Sequence, residues 1–218
     1  MDRKSATLPG LAAILLWSTM VGLIRSVSEG LGPVGGAAMI YTVSGLLCLV
    51  TVGFPDLRRF SMRYLIAGSI LFVSYEMCLA LSLGYAATRS QAIEVGMVNY
   101  LWPSLTIAFA ILFNGQKTTL WVIPGLLISL LGVCWVLGGE NGLQLNDSMQ
   151  NVVSSPLSYG LAFAGAFIWA AYCTVTSKYA KAQNGITPCV LLTALSLCVK
   201  YAVSDQPEMA FSVPVVVK

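Results

Sequence analysis

Glu76, Asn99 and Pro103 stand inside long apolar stretches of the chain. An ionisable side chain at membrane depth is expensive to bury and points to function by default. Proline has no N–H, so the carbonyl four residues earlier loses its intrahelical partner and the helix kinks. For Pro103 that earlier residue is Asn99. One place therefore gathers an amide side chain, a free main-chain carbonyl, a carboxyl and, just beyond, the ring of Trp102. Such a set can hold the polar end of a small solute. Trp17, Tyr41, Trp169 and Tyr172 lie within apolar spans rather than at the interfacial belts where Trp and Tyr collect. Together they could take a flat ring by stacking or cation–π contact.

The composition names the solvent that these groups must work in. Of 218 residues, 57% are hydrophobic and 10% charged, and the mean hydropathy is +0.79. That is too little charge to cover a surface in water, so the chain reads as an all-α, polytopic membrane bundle. Histidine is absent, which removes His-based metal sites and the usual general base. No metal, cofactor or catalytic residue is expected, and no GxxxxGK[ST] phosphate loop occurs. A net charge of +3 with scattered basic residues speaks against nucleic acid as a partner. The six cysteines fall inside apolar runs without a CxxC pair and read as small packing residues. The first apolar run has no A-x-A site and reads as a retained helix.

Seven runs approach the length of about 20 residues that a spanning helix needs: residues 8–27, 34–52, 64–85, 91–113, 120–137, 157–178 and 186–201. The longest connection, 138–156, is polar, with Glu140 and Asp147, and is the one plausible boundary between two halves. The N-tail and the even-numbered connections hold Arg3, Lys4, Arg58, Arg59, Arg63, Lys117, Lys178 and Lys181, against Arg25, Arg89 and Lys200 for the odd ones. That bias predicts a cytoplasmic N-terminus. The third and fourth runs form a tight hairpin, so positions equidistant from its turn lie at equal depth. Glu76 and Asn99 are then level, about 13 to 14 Å from the turn, with Tyr75 and Tyr100 matched one residue deeper. Glu94 lies only about 6 Å in and reads as a solvated helix-start residue.

Small residues recur at every fourth position in Ser18/Gly22/Ser26, Ser74/Cys78/Ser82 and Ala162/Ala166/Ala170/Thr174, a spacing that lets helices approach closely. "GLAAILLWSTMVGLIR" and "GLAFAGAFIWAAYCTVTSK" echo one another around Trp17 and Trp169. Five helices per repeat would make the second copy inverted, an arrangement common in secondary transporters.

The stretches "LLWSTMVGLIR", "SEGLGPVGGAA", "LFVSYEMCLALSLGYAATRSQAIEVGMVNYLWPSLTIAFAILFNGQK" and "SPLSYGLAFAGAFIWAAYCTVTSKYA" resemble bacterial aromatic amino acid exporters of the drug/metabolite transporter superfamily, EamA type. The resemblance implies a ten-helix fold of two inverted five-helix repeats, an inner-membrane location, and export of phenylalanine, tyrosine and tryptophan through a central cavity. It divides this chain into a first repeat at 1–138, an extracytoplasmic connection at 139–156 and a second repeat at 157–218. It also implies three more helices after "FSVPVVVK", so the second repeat is expected to be incomplete here, a truncation that would put independent transport in doubt. Expected partners are a small aromatic amino acid and the lipid bilayer. The expected substrate residues are Trp17, Tyr75, Glu76, Asn99, Tyr100, Trp102, Trp169 and Tyr172, with Pro103 as the kink. Two other readings stay open: efflux of flat organic cations such as quaternary ammonium compounds, and a non-transporting remnant or subunit.

Overall fold

A computed structural model describes residues 3–119, 121–137, 145–180 and 183–204. Among them there are helices and no strands: α1 (Arg3–Leu31), α2 (Pro33–Thr51), α3 (Ser69–Gly84), α4 (Arg89–Asn99), α5 (Trp102–Asn114), α6 (Val122–Leu137), α7 (Leu145–Ser154), α8 (Pro156–Tyr179) and α9 (Ile186–Val203). Glu140, Lys181 and the stretch FSVPVVVK lie outside the described residues, as do the side chains of Arg3, Lys4, Cys134 and Asp147.

Among the described residues, six spans of 18 to 26 residues are long and apolar enough to cross a bilayer: Gly10–Leu31, Pro33–Thr51, Tyr64–Gly84, Arg89–Asn114, Pro156–Tyr179 and Ile186–Val203. The apolar helix Val122–Gly132 is shorter. Their outward faces carry Leu16, Val50, Ile128 and Val199, as lipid-facing helices must where no water is present to favour polar groups.

Local chemistry sets the helix ends. Pro33 opens α2 and Pro156 opens α8, positions where the missing N–H is not needed. The Thr88 hydroxyl accepts from the Gln91 amide at 3.1 Å and caps α4. Gly115 ends α5 at φ +63°, a left-handed conformation that suits glycine. A single π-helical turn, Tyr64–Gly68, leads into α3. There the Tyr64 ring covers Gly68 so closely that a Cβ would stand 3.0 Å from it.

The bundle is organised around α8, which lies along α3 and α5 and also meets α4, while α2 lies along α9. Ala162, Ala166 and Ala170 are fully buried, so the small stripe of α8 is a packing face, as its spacing predicts. The stripe on α1 is not. Gly22 has open space around it, and α1 instead buries Ile24 and Ser28. Small residues permit close approach, but the neighbour's shape decides which face receives it. Among the cysteines Cys189 is buried but Cys198 is exposed, and the five described are free thiols. The polar connection before α8 also contains α7, an amphipathic helix that composition alone reads as loop.

Candidate functional site

At Asn99 the fourth span comes apart. The helix α4 ends there, and the amides of Tyr100 and Leu101 reach back only three residues, to Met97 and Val98, at 3.0 and 3.2 Å. Then α5 restarts at Trp102 with Pro103 in its first turn. The expected kink is thus a two-residue break, and Pro103 sits where a helix start tolerates it. Pro103 has no N–H to offer the Asn99 carbonyl. Pro103 lines a groove between α5 and α6 with Ser104, Val122 and Ser129.

The Asn99 side chain is buried, 7% exposed. Its Nδ2 donates to the Tyr75 hydroxyl at 3.2 Å, and its Oδ1 has no partner among the described residues. A buried polar atom without a hydrogen bond is uncommon and carries a desolvation penalty of about 1 to 3 kcal/mol. Gly165 of α8 lies against that oxygen, where a Cβ would stand 3.5 Å from it.

Aromatic rings line this place. Trp17 of α1 stacks on Trp102 with centroids 6.2 Å apart and planes 22° apart. Trp169 of α8 meets Trp102 edge-on at 6.3 Å, lies 4.3 Å from Tyr75 and 4.9 Å from Tyr172. The two tryptophans of the echoed segments therefore flank the same third indole. Trp17, Met20, Tyr75, Asn99, Tyr100 and Trp102 enclose a recess of about 30 Å³, room for a water or two rather than a ring. Trp17 is 47% exposed.

Two of the sequence-derived residues lie elsewhere. Glu76 is level with Asn99 by count but turns toward α2, where its Oε2 accepts from the Tyr41 hydroxyl at 2.5 Å. Tyr172 faces a cavity of about 600 Å³ with Tyr64, Thr176 and Asn184 at the far end of α8, its hydroxyl 3.4 Å from that of Tyr64. Tyr172 still joins the recess through Trp169, so an aromatic ladder runs from this cavity to the break.

The α3–α4 end carries polar clusters that composition did not single out. Arg25 donates through Nη1 to the carbonyls of Gly84 at 3.1 Å and Ala86 at 2.5 Å, and through Nε to Glu29 at 3.2 Å. Arg89 pairs with Glu29 at 2.7 Å. Nearby, Glu94 accepts from Tyr159 at 2.6 Å and from Asn151 at 3.1 and 3.3 Å, so it is not the solvated helix-start residue that its depth suggests. The i,i+4 spacing of Arg25 and Glu29 was a visible signal. The partners of Glu94 left none.

Residues 4–138 match the EamA-like transporter family. This chain belongs to that family. The match covers five of the ring and amide residues at the recess, Trp17, Tyr75, Asn99, Tyr100 and Trp102. The whole chain is 72% identical to the aromatic amino acid exporter YddG of Salmonella typhimurium and 70% identical to that of Escherichia coli K12, covering 74% of each. It is 30% identical over 207 residues, 91% of the chain, to the aromatic amino acid exporter YddG of Ancylobacter novellus, of which it covers 68%. No solved structure matches. As an EamA-like transporter with relatives of this kind and, among the described residues, six helices long and apolar enough to cross a bilayer, it is a multi-pass bacterial membrane protein.

Proposed function

We propose that this EamA-like protein exports aromatic amino acids across the inner membrane by alternating access. The observation that carries the reading is the buried, unpartnered Asn99 Oδ1 at a helix break, walled by indoles. An acceptor pair, side-chain and main-chain, suits an ammonium group, and the rings of Trp17, Trp102 and Trp169 suit an aromatic side chain. Tyr75 orients the amide, Tyr100 borders the recess, and Tyr172 passes the ring between Trp169 and the larger cavity. Glu76 supports Tyr41 from behind and stands next to Tyr75 in the chain. The names of the relatives at 70 and 72% identity agree with this substrate class.

The basic-residue bias puts the N-terminus in the cytoplasm. The large cavity by Tyr172 then opens inward and the α3–α4 end faces outward. The chain divides into a first repeat at 1–138 and a second beginning at 157, rocking against one another around the break. The recess is collapsed, so a substrate must part Trp17 from Trp102 to enter.

Counterflow of labelled phenylalanine into proteoliposomes tests the reading. The unaltered protein accumulates label, and Trp102→Ala lowers the rate by about tenfold, the equivalent of one aromatic contact of roughly 1.5 kcal/mol. Trp102→Phe keeps most of it. No accumulation by the unaltered protein overturns the function, and undiminished exchange in Trp102→Ala removes this ring from the site.

A further inference from the structure

The polar contacts at the α3–α4 end divide into two kinds. Arg25, Glu29 and Arg89 join α1 to the α3–α4 turn, all within the first five helices. Gln91 and Glu94 instead join α4 to α7 and α8, across the longest connection of the chain. Gln91 is buried. Its Oε1 accepts from the Ala87 amide at 2.6 Å and the Ser155 hydroxyl at 3.2 Å, and its Nε2 reaches the Asn151 carbonyl at 3.5 Å. Glu94 takes the Tyr159 hydroxyl and the Asn151 amide. None of the ion pairs among the described residues includes Glu94, so its carboxyl is held by neutral donors alone.

At the end that opens, two halves that rock keep the polar contacts within each half and break those that cross between them, while the apolar faces of α3 and α8 slide in contact. The Glu94 cluster is of the second kind, and it sits about 7 to 8 Å from Asn99 along α4. The cavity of about 600 Å³ lies at the opposite end. We propose that Glu94, held by Tyr159 and Asn151 and braced by Gln91 and Ser155, is the gate that shuts the α3–α4 end of the pathway. These bonds part when the recess at Asn99 opens to that side. Hydrogen bonds to a carboxylate without a counter-cation are strong enough to hold the end shut, and they exchange for water without leaving a cation stranded. This inference rests on the alternating-access reading.

The test places a cysteine at Met20, on the wall of the recess, and follows its labelling by a membrane-impermeant maleimide in spheroplasts, over the background of the native thiols. Asn151→Asp sets a second carboxylate against Glu94 and is expected to raise labelling by about tenfold, the loss of one charge-assisted bond. Tyr159→Phe is expected to do the same. The pair Asn151→Asp with Glu94→Gln restores a donor to face the new acceptor and returns labelling to the parental rate, which a fold damaged at random would not do. Parental labelling in both single variants overturns the gate, even if exchange by Asn99→Ala is abolished. Raised labelling with the rescue, beside normal exchange in Asn99→Ala, upholds the gate and removes Asn99 from the substrate site.

Discussion

Asn99→Ala is expected to lower phenylalanine exchange by about a hundredfold while leaving the melting temperature nearly unchanged. The two halves of that result have separate causes. The amide makes one side-chain bond, to Tyr75 at 3.2 Å, worth about 1 kcal/mol net. Against that, its Oδ1 is buried without a partner, a penalty of similar size that alanine abolishes. The folded state therefore loses little. A substrate ammonium loses an acceptor it had to itself, and a site built for a polar group discriminates steeply when that group's partner is missing. A purely structural Asn99 would show the opposite pattern, a lower melting temperature and unchanged exchange. Counterflow measured beside a thermal melt separates the two.

Arg25→Met is expected to destabilise the protein by about 2 to 3 kcal/mol, measured as unfolding in detergent, whereas Arg89→Met changes little. Both arginines pair with Glu29. Arg25 is 13% exposed and also closes onto the carbonyls of Gly84 and Ala86, the main-chain acceptors left over where α3 ends. Removing the guanidinium leaves those acceptors unmet in a tight corner, where charged hydrogen bonds are worth more than neutral ones. Arg89 is 70% exposed, and water screens and replaces its ion pair. The corner is tight because Gly84 lies against Pro33, where even a Cβ would come within 2.9 Å. Equal loss in the two variants would show that the ion pair to Glu29, and not the carbonyl clamp, holds this end.

The spans were legible because hydrophobicity along the chain is a one-dimensional signal. Residues 186–201 were read from sequence and Ile186–Val203 is found; residues 64–85 became the π turn and α3. Pro103 announced a freed carbonyl at Asn99, and the span does part there. Depth was legible to within a residue: the count puts Asn99 level with Glu76, and the bond found is to Tyr75. Direction around each helix was not. Tyr75 and Glu76 are neighbours in sequence, yet successive residues turn by about 100°, which sends one ring to Asn99 and the other carboxyl to Tyr41. Counting from a turn gives height without azimuth. The helix α7 was missed because its residues read as a polar connection, and with it went the partner that makes Glu94 more than a surface charge.

Three indoles in series, Trp102 between Trp17 and Trp169, also give the molecule an optical gauge. Trp17, Trp102 and Trp169, at 6.2 and 6.3 Å, are near enough for their excited states to mix, so any solute that spreads them alters near-ultraviolet circular dichroism and emission without an added label. Trp121 and Trp135 lie on exposed faces and supply a steady background against which that change is read.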